Sequence, residues 1–193
     1  MRTFGREPLR TARLALRPLT EADVPALFAI HSDPRAMQYW SGSVWKDDER
    51  ARAMVARDRD PSVVDHLRLG IALADTSRLL GTCALFSIVD QCRRAELGYM
   101  LWADAWGKGY MLEALRAFLD FAFTDLGLNR LEADIHPGNE RSRRLLERLG
   151  FSHEGHFRER WIVDGEASDS AMYGLLRREW PPRAAANPEE NAP

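Results

Sequence analysis

The chain has 193 residues, of which 45% are hydrophobic and 29% charged, and its formal net charge is -2. This length fits one domain that buries roughly 70% of its unfolded surface, so neither a metal nor a disulfide is needed to hold it folded. The near-zero charge excludes an electrostatic field that would recruit nucleic acid or an anionic membrane.

The two cysteines, Cys83 and Cys92, are too few for a disulfide framework and lack C-x-x-C spacing, which indicates a reducing compartment. No apolar run reaches the roughly 18 residues that span a bilayer, and the opening MRTFGREPLR lacks the apolar centre of a signal peptide. The five histidines show no spacing typical of metal ligands, so we assign no metal site. We therefore expect a cytoplasmic protein with no nucleic-acid or membrane partner.

The first half of the chain predicts a strand, two helices and a hairpin. In RLALRPL (13–19) leucines alternate with arginines as in a strand, and Thr20 then caps a helix with Asp23 three residues later. The charged stretch 47–59 predicts a surface helix. HLRLGIALA (66–74) and LLGTCALFSIV (79–89) predict two paired strands.

The second half predicts a strand, helix, strand and helix, and then a hairpin. RRAELGYMLW (93–102) and RLEADIH (130–136) are the strands, and 110–126 has apolar residues at a helical period. Asn139 can cap a helix over ERSRRLLERL, and Gly150 can end it. The dipeptide Asp164-Gly165 favours a tight hairpin turn.

No repeat or linker divides residues 1–180, which we assign to a single domain. Residues 181–193, PPRAAANPEENAP, are rich in Pro, Ala and Glu and have little to bury. We expect them to form a mobile C-terminal tail.

A glycine turn, WGKGYMLEAL, stands between the strand 93–102 and the helix that follows it. The first turn of a helix leaves N–H groups without partners, and glycines let a ligand approach the backbone, so the stretch suits an anion such as a phosphate. Its spacing matches neither the P-loop nor the dinucleotide fingerprint, which disfavours ATP and NAD. Glycines that only turn the chain are the alternative.

Three ordered stretches carry a family resemblance: AELGYMLWADAWGKGYMLEAL, HPGNERSRRLLERLGF and RERW followed by DGEASDSAMYGLLRREW. Together they resemble the GNAT superfamily of acyl-CoA N-acyltransferases and, more narrowly, the RimJ/RimL group of protein N-terminal acetyltransferases. The likeness runs from about residue 13 to 180. It implies an α/β (α+β) GNAT fold: a mixed, twisted central β-sheet flanked by α-helices, with acyl-CoA bound where two adjacent strands splay. It also implies acetyl-CoA as the acyl donor.

The resemblance places the family's pyrophosphate loop, Q/R-x-x-G-x-G/A, on the glycine turn. Trp106 stands where many members have Gln or Arg, and Met111 stands where Gly or Ala is usual. The residues expected to bind the pyrophosphate, mainly through backbone amides, are Trp106, Gly107, Lys108, Gly109, Tyr110 and Met111. Asn139 resembles the family residue that bonds the pantetheine arm.

The resemblance also implies how the chemistry is divided. Glu96 is the expected general base, which deprotonates the attacking amine, and main-chain N–H groups near Leu97, Gly98 and Tyr99 are expected to polarise the thioester carbonyl. Ser142 is a candidate donor to the departing sulfur. Many members have a general-acid tyrosine one turn later, where this sequence has Leu146, so water is an alternative proton source.

Several of these assignments have structural alternatives. Glu96 can be a solvent-facing strand residue paired to Arg93 or Arg94, and Ser142 an ordinary serine on a helix surface. The arginines of 141–148 can reach the 3′-phosphate of CoA or form a solvated face balanced by glutamates. The aromatics of 39–45 can line an acceptor pocket or belong to the core.

The predicted activity is transfer of an acetyl group to a primary amine by direct attack in a ternary complex. The N-terminal α-amine of a protein or peptide is the expected acceptor. Acetylation of a small-molecule amine, such as an aminoglycoside, polyamine or amino acid, remains an alternative, as does a non-catalytic acyl-CoA-binding module. Members are often dimers, so a homodimer is also open.

Overall fold

The computed structural model describes residues 7–181, which form eight strands and five helices. The predicted tail therefore lies outside the described residues, apart from Pro181. In chain order the elements are β1 (Leu9–Arg10), β2 (Leu14–Arg17), α1 (Val24–His31), α2 (Pro34–Met37), α3 (Glu49–Asp58), β3 (Leu67–Leu73), β4 (Leu79–Val89), β5 (Arg94–Leu101), α4 (Tyr110–Thr124), β6 (Arg130–Ile135), α5 (Glu140–Arg148), β7 (Ser152–Val163) and β8 (Glu166–Leu176).

All eight strands form one sheet in the order β1-β2-β3-β4-β5-β6-β8-β7. Every neighbouring pair is antiparallel except β5 and β6, which are parallel. This confirms the predicted mixed sheet flanked by helices.

The parallel pair separates early. Its register begins at Arg94 with Arg130 and ends at Glu96 with Glu132, although β5 continues to Leu101 and β6 to Ile135. Beyond this point a gap opens between the two strands, which is where the family resemblance implies that acyl-CoA binds.

The helices cover the two faces of the sheet unequally. The main core packs α4 and α5, through Phe118, Leu119 and Leu146, against inward side chains such as Ala95 and Leu97 of β5. A second, smaller cluster packs α1 and α3 on the other face against β4. Because side chains alternate along a strand, Glu96 points to the face opposite α4 and α5.

The local signals read from the sequence have the expected geometry. The Asn139 side chain accepts a hydrogen bond from the N–H of Ser142 at 3.1 Å and caps α5, and Gly150 follows this helix with φ 89°. Asp164 and Gly165 both have positive φ, and they join β7 to β8.

Two short elements were not predicted. The two residues of β1 are too few to show a period. The four-residue α2 is set by Asp33, whose side chain accepts from the N–H of Arg35, and by Pro34 at the first helical position. In the described residues no helix has the length and apolarity needed to cross a membrane.

His31, at the end of α1, is a buried titratable group. Its ring stacks on Trp45 with 4.0 Å between centroids, and its Nδ1 is buried without a partner. Burial, with a smaller effect from Arg68, lowers the pKa of His31 from 6.5 to about 4. The folded protein therefore holds this ring neutral where the unfolded chain binds a proton.

We expect stability to fall as the pH is lowered from 6.5 to about 4, because in this window only the unfolded chain is protonated at His31. The loss across the window is about 3 kcal/mol. His31→Phe keeps a buried ring that cannot bind a proton, so its free energy of unfolding, measured by urea titration at several pH values, should change less. Parallel pH dependences for the two proteins would contradict this.

Candidate functional site

The glycine turn exposes a row of unused backbone donors. Gly107 and Gly109 have φ 76° and 78°, a region that favours glycine, and α4 begins directly after them. Within residues 7–181 the N–H groups of 107–112 donate to no protein acceptor, and the first helical bond runs from Glu113 N–H to the Gly109 carbonyl. Donors that point out from a helix N-terminus attract an anion.

Arg13, at the start of β2, braces this turn. Its Nη1 donates to the Lys108 carbonyl at 3.0 Å, and its Nε donates to Glu113 Oε2 at 2.7 Å. Burial raises the pKa of Glu113, but hydrogen bonds from Thr11 and Arg13 outweigh it and hold this pKa below its usual value. The turn is thus fixed to the sheet, and Glu113 neutralises the charge of Arg13.

Trp106 and Arg141 form the side of the turn that faces α5. The indole of Trp106 donates to the Leu101 carbonyl at 2.9 Å, so this side chain closes the loop after β5. The Arg141 guanidinium lies 4.4 Å from the centroid of the Trp106 ring and has no carboxylate partner among the described residues. By contrast, Arg143 on the same helix is paired to Glu140 and Glu147. Arg141 is thus the arginine of α5 that lies beside the turn with its charge uncompensated.

The side chain of Met111 packs into the main core, and Lys108 is exposed. Neither side chain makes a hydrogen bond or ion pair in the described part of the chain. Only the backbone amides of these two residues therefore belong to the row of donors.

Backbone groups of β5 face the gap. The N–H of Trp102 donates to the Leu80 carbonyl of β4. Because N–H groups two residues apart point to the same side of a strand, that of Gly98 also faces β4, whereas those of Leu97 and Tyr99 face β6. The N–H of Leu97 belongs to the last rung of the β5–β6 ladder, the one that pairs Glu96 with Glu132, so the N–H of Tyr99 is the one that faces the gap. Of the three amides expected to polarise a carbonyl, that of Tyr99 is oriented towards the gap.

Glu96 stands at the point of separation and has no ion pair with any of residues 7–181. Arg94 does not pair with Glu96, which was one alternative from the sequence, but donates to Glu132 at 2.9 Å. Glu132 also accepts from Arg130 at 2.8 Å, and Arg130 pairs with Glu154 of β7.

These residues line a pocket of about 350 Å³, together with others from β7 and β8. Among the described residues, Glu96 is the one glutamate of this pocket without an ion pair. The arginine–glutamate chain from Arg94 to Glu154 was missed from the sequence, because it joins three strands that only the sheet brings together.

The helix side of the gap holds Tyr99 and Ser142. The Tyr99 hydroxyl is buried and has no hydrogen-bond partner. Burial raises its pKa, while the neighbouring Ser142 hydroxyl partly offsets this effect without a hydrogen bond of normal geometry. A buried unpaired hydroxyl costs about 1–3 kcal/mol, so its position calls for an explanation. The sequence placed only the backbone of Tyr99 at the site.

The aromatic residues of 39–45 were expected either to line an acceptor pocket or to belong to the core. Trp45 packs on His31 and against the second, smaller core cluster, whereas Tyr39 is partly exposed and lies 5.1 Å from the ring of His136, which follows β6. Ser43 donates to Asp164 at 2.6 Å and so ties this segment to the β7–β8 turn.

Comparisons with known proteins agree with this geometry. A family model described as an acetyltransferase (GNAT) domain matches residues 13–152. The uncharacterized N-acetyltransferase p20 of Bacillus licheniformis is 38% identical over 176 residues, which cover 90% of this chain and 98% of the relative.

Two further relatives were found. The [ribosomal protein uS5]-alanine N-acetyltransferase of Escherichia coli is 32% identical over 114 residues, which cover 58% of this chain and 59% of that protein. The crystal structure of a GNAT-family acetyltransferase from Bacillus anthracis has a TM-score of 0.78 and 25% identity, and covers 88% of this chain and 98% of that one.

Arg141→Ala should weaken the binding of CoA about tenfold, since it removes the unpaired cation beside the glycine turn. Arg148→Ala is the matched control, because it removes the same charge seven residues farther along α5, about 10 Å away. Isothermal titration with CoA measures both. Equal affinities in the two variants would show that Arg141 does not contact the ligand.

Proposed function

The chain belongs to the GNAT family of acetyl-CoA-dependent N-acetyltransferases, and we propose that its acceptor is the N-terminal α-amine of a protein or peptide, as in the RimJ/RimL group. The observation that carries the proposal is the Glu96 carboxylate, which stands unpaired in an open pocket where β5 and β6 separate.

The donor end of the site fits acetyl-CoA. The unused amides of 107–112 suit the pyrophosphate, and Arg141 beside them suits a further phosphate. Asn139 and Ser142, at the start of α5, are the residues that we assign to the pantetheine arm. The orphaned Tyr99 hydroxyl is a buried polar group that a ligand in the gap can satisfy.

The acceptor end provides one base for one amine. Glu96 receives the proton of the attacking amine, and the N–H of Tyr99, which faces the gap, donates to the thioester oxygen as it gains charge. A protein α-amine has a free pKa of about 7.7–8.0, against about 10.4 for lysine, so a single carboxylate is sufficient to deprotonate it.

The charge of the pocket favours a monocation over a polycation. Glu132 and Glu154 are already neutralised by Arg94 and Arg130, so a second or third amine of a polyamine would meet no free carboxylate here. The name of the Escherichia coli relative, which specifies an alanine of a ribosomal protein, agrees with an N-terminal acceptor.

We expect peptides that begin with Ser or Ala to release CoA from acetyl-CoA, whereas their N-terminally blocked copies do not. Glu96→Gln, which keeps the shape but loses the base, should lower kcat/KM by about 10²–10⁴-fold. The measurement is thiol release with the peptides and with a panel of small amines.

Three results would overturn parts of the proposal. Turnover of small amines alone would show that the acceptor is a small molecule and not a peptide. If Glu96→Gln and wild type reacted at equal rates, Glu96 would not be the general base. Tight acetyl-CoA binding with no turnover of any amine would indicate a binding module.

Glu132→Gln should impair the reaction although Glu132 is not the base. Arg94, two residues from Glu96 on the same face of β5, would lose its partner and be free to pair with Glu96. This positive charge favours the ionised form of Glu96, so the acid limb of the pH–rate profile should move to lower pH while the plateau falls.

Glu154→Gln serves as the control for this variant. Glu154 belongs to the same chain of ion pairs, but its one ion-pair partner in the described part of the chain is Arg130, which keeps Glu132 as a partner. The acid limb of its profile should stay at the wild-type pH. A Glu132→Gln profile superimposed on the wild-type profile would contradict the role assigned to Glu132.

A further inference from the structure

Three buried side-chain polar atoms in residues 7–181 have no hydrogen-bond partner: His31 Nδ1, Tyr99 Oη and Ser170 Oγ. Of the three, the Tyr99 hydroxyl is the one next to the separated strands. Tyr99 lies three residues beyond the last paired position of β5 and β6, so its backbone borders the gap, while its hydroxyl is buried next to α5.

The Tyr99 side chain points to the face that carries α5. It follows Ala95 and Leu97, which pack with α4 and α5, at the same alternation along β5. Its hydroxyl reaches the first turn of α5 beside Ser142, and that turn is fixed by the cap from Asn139. The phenol is therefore on the opposite side of the strand from Glu96.

The residue one turn further along α5 cannot serve as a donor. Leu146 is fully buried and apolar, and it belongs to the main core. A sulfur leaving towards α5 thus meets the hydroxyls of Tyr99 and Ser142. Burial keeps the pKa of Tyr99 above its usual value, so the phenol remains protonated and able to donate.

We propose that Tyr99 is a further catalytic residue, whose hydroxyl donates a hydrogen bond to the thioester sulfur and stabilises the thiolate as CoA leaves. The inference rests on the proposed function for the direction from which the thioester enters. The amine nitrogen forms the new bond to the carbonyl carbon and gives its proton to Glu96. The C–S bond breaks, and its electron pair remains on sulfur.

Tyr99 keeps its proton throughout this step. A thiol has a free pKa of about 8.5 and a phenol of about 10, so the proton of the hydrogen bond stays on oxygen and the thiolate is protonated later by water. The role is that of a neutral donor in a buried site, where a hydrogen bond to a charged atom is stronger than one to a neutral atom.

The test is a pH titration of the thiol of CoA bound to the protein. The ultraviolet absorbance of the thiolate reports its ionisation, and the protein with bound desulfo-CoA, which has no thiol, is the reference. In Tyr99→Phe the thiol of bound CoA should titrate about one pH unit higher than in wild type. Tyr173→Phe removes a neighbouring phenol on β8 and should titrate as wild type does. Equal titration of Tyr99→Phe and wild type overturns the proposal.

Two further readouts separate this role from a structural one. Tyr99→Phe removes a hydroxyl that has no partner, so its thermal midpoint should be equal to or above that of wild type, and a fall of several degrees would overturn the assignment. In turnover kcat should fall about tenfold, while KM for acetyl-CoA stays within about twofold.

The titration uses CoA alone and needs no acceptor. A shifted titration without acetylation of any peptide would therefore leave this inference standing and overturn the proposed acceptor. Peptide acetylation with an unshifted titration would support the proposed acceptor and overturn the role of Tyr99.

Discussion

The site depends on the early separation of β5 and β6. Parallel strands require a crossover, and here α4 is that crossover, so its N-terminus follows directly from the carboxyl end of β5. Since the strands stop pairing at Glu96 and Glu132, the N–H of Tyr99 is left facing the gap, beside the unused donors of the helix. One topological feature thereby brings a carboxylate, a strand amide and helix amides to a single opening.

Charge compensation keeps that opening selective. The arginines of β5 and β6 do not compete for the ligand, because Arg94 and Arg130 form ion pairs with Glu132 and Glu154. At the glycine turn, Arg13 forms an ion pair with Glu113. Among the described residues, Glu96 on one face and Arg141 and Lys108 at the glycine turn have no ion pair, and these charges match an ammonium group and a phosphate.

Features that depend on neighbouring residues could be read from the sequence. The turn at Gly107 and Gly109, the Asn139 cap and the hairpin at Asp164 follow from local backbone chemistry, and the structure has all three. The ion pairs could not be read, because Arg13 and Glu113 are 100 residues apart and meet only through the packing of α4 on β2. No role for the Tyr99 side chain could be read from the sequence either, because the lack of a hydrogen-bond partner for its hydroxyl depends on how the elements around it pack.

The alternation along β5 has a kinetic consequence. Glu96 and its pocket open on one face of the sheet, whereas the glycine turn leads into α4, which packs on the other. Donor and acceptor would then approach the gap through separate entrances, and neither would have to leave for the other to enter. Nothing in such an arrangement imposes an order of substrate addition, and the acetylated product can depart while CoA is still bound.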